Sequence, residues 1–188
     1  FRRVLFRSFE ESGTLDRKVE GLGANELLLR RALDNQGLTR PELAVLLSTA
    51  KLTLQDAIEK GALVHDPSMG ADLSASFPLQ MQEREARAIA DHRLRGEIIA
   101  TELANRIVNR LGLIHPFELA EEEGCALADM ATAFIVADRI YDIQALWDDI
   151  DTTDMPEAGR LAVLGRVAGA MRAQMASVLR ILPSGSVP

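Results

Sequence analysis

The chain has 188 residues, 47% of them hydrophobic and 26% charged, with a net charge of −7; this is a globular balance, long enough for one domain with a real core or two small ones. An acidic chain with 4% aromatic residues offers little to a phosphate backbone, stacked bases or anionic lipid, and no apolar run approaches the ~18–20 residues of a membrane span, so neither nucleic acid nor a membrane is an expected partner. The single cysteine, Cys125, cannot close an internal disulfide, and with no secretory signal the expected compartment is the reducing cytoplasm.

The chain opens on Phe1, not Met, which reads as a piece of something longer. Phe1–Ser8 (FRRVLFRS) is basic and apolar in an otherwise acidic chain; it resembles a translated adapter more than native protein, the alternative being a short basic helix or strand entering the domain. Residues 1–14 are therefore read as a leader and 15–182 as one helical domain. Leu15–Glu20 is expected to form a helical turn, broken by Gly21 and Gly23. A helix is predicted from Gly23–Asn25 to about Asn35, where Gly37 stops it. Thr39 and Glu42 then stand at capping-box spacing: the hydroxyl can accept from the amide three residues on, and the carboxylate can reach back to the cap amide. Pro41 suits a first turn, which needs no amide donor. Leu43, Leu47, Ala50, Leu54 and Ile58 recur as one face of this helix until Gly61.

Asp66-Pro67 restarts the chain with an N-cap and a first-turn proline, opening a short helix to about Phe77. Pro78 opens another, to about Ala90, and Asp91 is expected to cap the next. That next stretch, Arg93–Leu111, has the clearest periodicity in the chain. Leu94, Ile98, Ile99, Leu103, Ile107, Val108 and Leu111 fall on one stripe, which predicts an amphipathic helix of about five turns pressed into a core. Gly112 ends it. His115-Pro116 begins a short helix that Gly124 closes. Ala126–Tyr141 is predicted helical with Leu127, Met130, Ala131, Phe134, Ile135 and Ile140 inward. A short helix around Ile143–Ile150 carries Trp147. Pro156 starts the last long helix, to about Leu182, with Leu161, Leu164, Val167, Ala168, Met171, Met175, Val178 and Leu179 on its stripe. Residues 183–188 are expected to be a flexible tail. No segment alternates as a strand does, so the expected fold is all-α, an irregular bundle of about eight to ten helices.

No catalytic, cofactor-binding or metal-binding residue is assigned from the residues themselves. His65, His92 and His115 lie far apart, and none has a second His or Cys one helical turn away. Asp91 beside His92 reads as a helix cap, not as a carboxylate orienting a ligand. Glu121, Glu122 and Glu123 cannot all face one way and read as a solvated face. Gly21-Leu22-Gly23 lacks the third glycine and the preceding strand of a dinucleotide loop. Cys125 follows a glycine at a helix start, where the dipole could lower its pKa, but with no basic neighbour in sequence it reads as a small packed residue. What stands out is a polar cluster on the amphipathic helix. His92, Arg93, Arg95 and Glu97 sit at its start, and Asn105 and Asn109, with Arg106 and Arg110, near its end. The two asparagines share a face with apolar neighbours and read as buried amides bonded to a neighbouring helix end or loop, which makes the cluster structural. The alternative is a site receiving a ligand or another domain.

Four segments resemble a known family. GLTRPELAVLLSTAKLTLQDAI (Gly37–Ile58), FPLQMQE (Phe77–Glu83), HRLRGEIIATELANRIVNRLG (His92–Gly112) and FELAEEEG (Phe117–Gly124) are similar, in order and spacing, to segments near the C-terminus of the large bacterial NAD-specific glutamate dehydrogenases. The resemblance runs from about Leu15 to about Leu182. It is looser from Ala126 on, where ALWDDID (Ala145–Asp151) matches an Ala-Leu-Trp segment. It implies a long-subunit, cytoplasmic homo-oligomer that deaminates L-glutamate oxidatively to 2-oxoglutarate and ammonia, with NAD accepting the hydride. In that family the glutamate-site lysine and the NAD-binding Rossmann fold lie upstream of these segments. This piece is thus expected to be a non-catalytic structural, interdomain or oligomerisation domain packed on the catalytic core of the same polypeptide, itself holding no NAD. Lys51 falls inside a matching motif but reads as a solvated or interdomain ion-pairing lysine. Phe1–Ser8 has no family counterpart. A reading from another class is a stand-alone helical interaction or small-molecule-sensing module.

Overall fold

The computed structural model describes residues 8–181, so the reading of Phe1–Ser8 as foreign falls outside it except at Ser8, and that of 183–188 as a tail falls outside it entirely. Among the described residues there is no strand. After a helical turn at residues 8–11 come ten α-helices: α1 Asn25–Leu33, α2 Arg40–Glu59, α3 Gly70–Ala75, α4 Leu79–Arg84, α5 Ala86–Ala90, α6 Arg95–Leu111, α7 His115–Glu123, α8 Leu127–Tyr141, α9 Ile143–Thr152 and α10 Glu157–Ile181. Two 3-10 turns, Ala62–His65 and Pro67–Met69, connect α2 to α3. The fold is the expected all-α, multi-helix arrangement.

The chain forms two compact units, Phe1–Thr53 and Leu54–Pro188, with α2 contributing residues to each. In the first unit Phe9, Leu15, Leu46 and Ala50 are buried. The helix expected to reach Asn35 stops at Leu33. Asn35 takes the left-handed conformation (φ 54°), and the amides of Asn35 and Gln36 fold back onto the carbonyls of Ala32 and Arg31. Asparagine thus does at this terminus what a glycine usually does.

The capping box at α2 forms as its spacing predicts. The Thr39 amide donates to Glu42 Oε2 at 2.7 Å, and the Glu42 amide approaches Thr39 Oγ1 at 3.4 Å. Arg31 adds two bonds to the same carboxylate, at 2.9 and 3.0 Å. Burial pushes the Glu42 carboxyl up, but the Thr39 amide and hydroxyl and the Arg31 guanidinium together hold it below its ordinary 4.5. A carboxylate whose folded value is depressed stabilises the fold above its unfolded value, and that contribution is lost as pH falls through the folded one. Glu42→Ala should cost about 1–2 kcal/mol near neutrality and much less in acid. Hydrogen exchange at the Thr39 amide checks this, and unchanged protection would refute the box. The α2 stripe differs from expectation: Leu46, Ala50, Leu54 and Ile58 are buried, whereas Leu43 and Leu47 are exposed. The buried line runs through Glu42, Leu46 and Thr49, one position before the expected leucines.

In the second unit α10 packs against α8, α7 and α9, while α6 contacts α3, α7 and α8. Their shared core includes Ile99, Leu103, Ile107, Phe134, Trp147, Met171 and Met175. Three stripe residues expected inside lie outside: Leu94, which precedes α6, Ile140 at the end of α8, and Leu161 in the second turn of α10. Each sits near a helix end, where no element among the described residues covers the stripe. The helix expected from Pro78 to Ala90 is two, because Glu85 leaves helical geometry (φ −122°, ψ 26°). Asp91 does not cap α6; it ends α5 on the surface, and α6 begins four residues later. The Leu94 amide instead donates to His92 Nδ1 at 3.1 Å, in the turn that leads into α6. Asp66 does cap its turn, accepting from the Ser68 amide at 2.7 Å. Gly112 ends α6 at φ 84°, ψ 178°, a conformation essentially reserved for glycine, and Gly124 closes α7 in the left-handed region at φ 61°.

Candidate functional site: a polar cleft on α6

Glu102, Asn105, Arg106, Asn109 and Arg110 recur at three- and four-residue spacing and therefore share a face of α6 beside its apolar stripe. In the fold this face borders a cleft of about 640 Å³. Asp72 of α3, Ser76 just after it and Gln144 of α9 also line the cleft, with Met69, Ile99 and Leu103 as its apolar part.

Charge in the cleft is largely compensated by near neighbours. Asp72 sits between two arginines, Arg106 at 3.1 Å and Arg139 at 2.8 Å. Arg139 also donates to the Ser68 hydroxyl and carbonyl, both at 2.9 Å, tying α8 to the 3-10 turn before α3. Arg110 pairs with Asp151 at 2.8 Å. Both cleft arginines lie over aromatic faces of the core, Arg106 at 5.9 Å from the Phe134 centroid and Arg110 at 5.2 Å from that of Trp147. Guanidinium groups so placed gain from the ring quadrupole as well as from their carboxylates. Next to them Asp138 is buried on α8. Burial pushes its carboxyl above the usual range and Asp72 adds to this, while Arg106, the Gln144 amide and Arg139 pull the other way.

The polar cluster read from the sequence separates into two groups. His92, Arg93, Arg95 and Glu97 gather where α6 begins. His92 stacks obliquely on Phe77, with ring centroids 5.7 Å apart. Arg95 reaches back to the 3-10 turns, its Nε donating to the Val64 carbonyl at 3.1 Å and a terminal nitrogen to the Asp66 carbonyl at 3.0 Å. Arg93 is exposed and Glu97 half-buried. Asn105 and Asn109 stand apart from these, in the cleft. Their reading as buried, bonded amides is corrected: Asn109 is exposed, Asn105 half-buried, and neither side chain makes a hydrogen bond among the described residues. They lie at the edge of the stripe and line the cleft. Asn109→Leu should therefore shift stability by no more than about 0.5 kcal/mol, the range of an ordinary surface change. A melting curve tests this; a large drop would restore the buried-amide reading.

One other reading changes, and the reading of Cys125 as a small packed residue agrees with the structure. Glu122 and Glu123 are not merely solvated, since they pair with Arg172 and Arg180 and tie α7 to α10. The hydrogen bond from Arg180 holds the Glu123 carboxyl below its ordinary value. Cys125 packs half-buried on the core, and its thiol pKa is raised by burial and by Asp129, the opposite of a dipole-activated nucleophile. Among the described residues no three His, Cys, Asp or Glu side chains converge as metal ligands, and no helix is long and apolar enough to cross a membrane.

Residues 35–184 match the family described as Glutamate dehydrogenase, C-terminal. The chain belongs to that family. Similar proteins include the NAD-specific glutamate dehydrogenases of Halomonas elongata, 34% identical over 82% of this chain, and Pseudomonas aeruginosa, 33% identical over 80%. That of Mycobacterium tuberculosis is 31% identical over 77%. The aligned stretch is only 10%, 9% and 9% of those three proteins, so the chain spans about a tenth of the length of the curated relatives it matches.

Within this glutamate dehydrogenase C-terminal chain, sequence reasoning singled out both cleft asparagines but missed Asp72, Asp138 and Arg139. A signal was present for Asp138. It stands four residues after Phe134 on the most apolar helix of the second unit, where a carboxylate needs a reason. Asp72 gave none, because a short polar helix reads as surface until its partners are known. Lys51 is half-buried on α2 and makes no ion pair among the described residues.

Proposed function

We propose that this chain is the C-terminal helical part of an NAD-specific glutamate dehydrogenase and performs no chemistry itself. The parent enzyme would oxidise L-glutamate to 2-oxoglutarate and ammonia with NAD as hydride acceptor. On this reading the glutamate site and the NAD fold belong to the remaining nine-tenths of the polypeptide, and no catalytic or cofactor residue falls here. The segment packs on the catalytic core of a cytoplasmic homo-oligomer and fixes the arrangement of domains or subunits; nucleic acid and membrane have no part in it. The observation behind this is the family match over residues 35–184, set against relatives about ten times longer than the stretch they share with it. The internal pairing of the polar groups supports it too: Asp72 holds Arg106 and Arg139, and Arg110 pairs with Asp151, which suits a part that holds shape.

Two measurements test the proposal. The 188-residue chain should give helical circular dichroism and no NADH from glutamate and NAD. The full-length polypeptide lacking the segment from Leu15 to Leu182 should lose turnover together with its native assembly. Turnover by the chain alone would overturn the non-catalytic assignment, and a truncated enzyme with normal activity and assembly would overturn the structural one.

A further inference from the structure

We propose that the cleft on α6 binds a small bipolar molecule, with a protonated amine at one end, a carboxylate at the other and an aliphatic spacer between. Glu102 and Arg110 are eight residues apart on one helix face, a rise of about 12 Å. Glu102 is exposed and makes no ion pair or hydrogen bond among the described residues, so it offers a free anion at one end. Arg110 spends one guanidinium nitrogen on Asp151 and keeps further N–H groups for the other end. Between them stand the unbonded amides of Asn105 and Asn109, able to donate or accept.

The four charged side chains of the cleft, Asp72, Glu102, Arg106 and Arg110, sum to zero, so no net charge favours a simple anion or a simple cation. A molecule carrying both charges satisfies both ends at once, and its methylenes meet Ala75, the exposed apolar residue of the lining. The volume lies within the range of roughly 300–1,000 Å³ usual for small-molecule sites. An α-amino acid headgroup, with its charges adjacent, is too short to reach both ends. This inference concerns the cleft residues alone and does not rest on the role proposed for the segment in a larger enzyme.

The test is a titration of the 188-residue chain with ε-aminocaproate, followed through the side-chain amide resonances of Asn105 and Asn109 by nuclear magnetic resonance. Glycine, caproate and hexylamine serve as comparators, lacking respectively the spacer, the amine and the carboxylate. Saturable shifts are expected with ε-aminocaproate, with affinity at least about tenfold above each comparator. Emission of Trp147, the only tryptophan, should change in step because Arg110 lies over its ring. Glu102→Gln, an exposed change that should leave the melting temperature alone, should weaken ε-aminocaproate about tenfold and leave caproate unaffected. Absence of saturable shifts, equal binding of caproate or glycine, or full binding by Glu102→Gln would each overturn the proposal.

Discussion

Trp147→Ala should lower the stability of the second unit by about 3–5 kcal/mol, the usual cost of emptying a large aromatic site in a core. Trp147 is 1% exposed and heads the fully buried side chains by volume. Among the described residues its indole Nε1 has no hydrogen-bond partner, so the loss is one of packing and of the face offered to Arg110. Without the ring, Arg110 keeps Asp151 but loses its seat, and the cleft edge should loosen as the core cavity opens. In a unit of this size the melting temperature should fall by roughly 10 °C or more. Trp147→Phe, which keeps an aromatic face, should cost less than half as much. Thermal unfolding of both variants decides the matter; a shift of a degree or two for alanine would mean that the α9 contact does not hold the core together.

Asp72→Asn is expected to produce the second largest loss, through charge and not volume. One carboxylate holds two arginines from different helices, and its own side chain is only 20% exposed. Removing a partner from a deeply buried pair costs about 3–5 kcal/mol, but Arg106 and Arg139 are 28% and 39% exposed, so water discounts this to roughly 1–2 kcal/mol. The neighbouring Asp138 makes the prediction sharper. Its folded pKa is raised, so the fold resists its ionised form: stability is fully present in acid, below the unfolded value, and is lost as pH rises through the folded one. Asp138→Asn should therefore be harmless or stabilising at neutral pH, with the difference fading in acid. Asp72 is one of the groups raising Asp138. Once it is gone, Asp138 should ionise more readily and take over Arg106. The double variant should then be less stable than the two single changes added together, and additivity in this cycle would show that the two carboxylates do not share the arginine.

Much of the backbone was legible because its causes are local. The Thr39/Glu42 box, the Asp66-Pro67 start and the Gly112 and Gly124 stops each depend on residues within four positions of one another, and each falls where its spacing implies. The asparagine at position 35 shows the limit of that reading, since the chain stops its helix before the glycine that looked like the breaker. Apolar stripes were legible at their centres and not at their margins. Ile99, Leu103, Ile107, Phe134 and Met171 are inside, while Leu43, Leu47, Ile140 and Leu161 are not, because the outer residues of a stripe are buried only where another helix crosses them. The candidate site was half legible. Asn105 and Asn109 stand out on a periodic helix, but whether an amide is covered or faces a cleft depends on what packs beside it.

The amino-acid order alone determined that this protein is helical, where most of its helices begin and end, and which faces seek a core, since hydrogen bonds from i to i+4, caps and glycine stops act within a turn or two of chain. The tertiary structure alone decided that Asp72 would stand between Arg106 and Arg139, that Trp147 would lie beneath Arg110, and that a cleft would stay open along α6. Those contacts join helices distant in sequence, and their geometry follows from how side-chain ridges interlock, which no local pattern encodes.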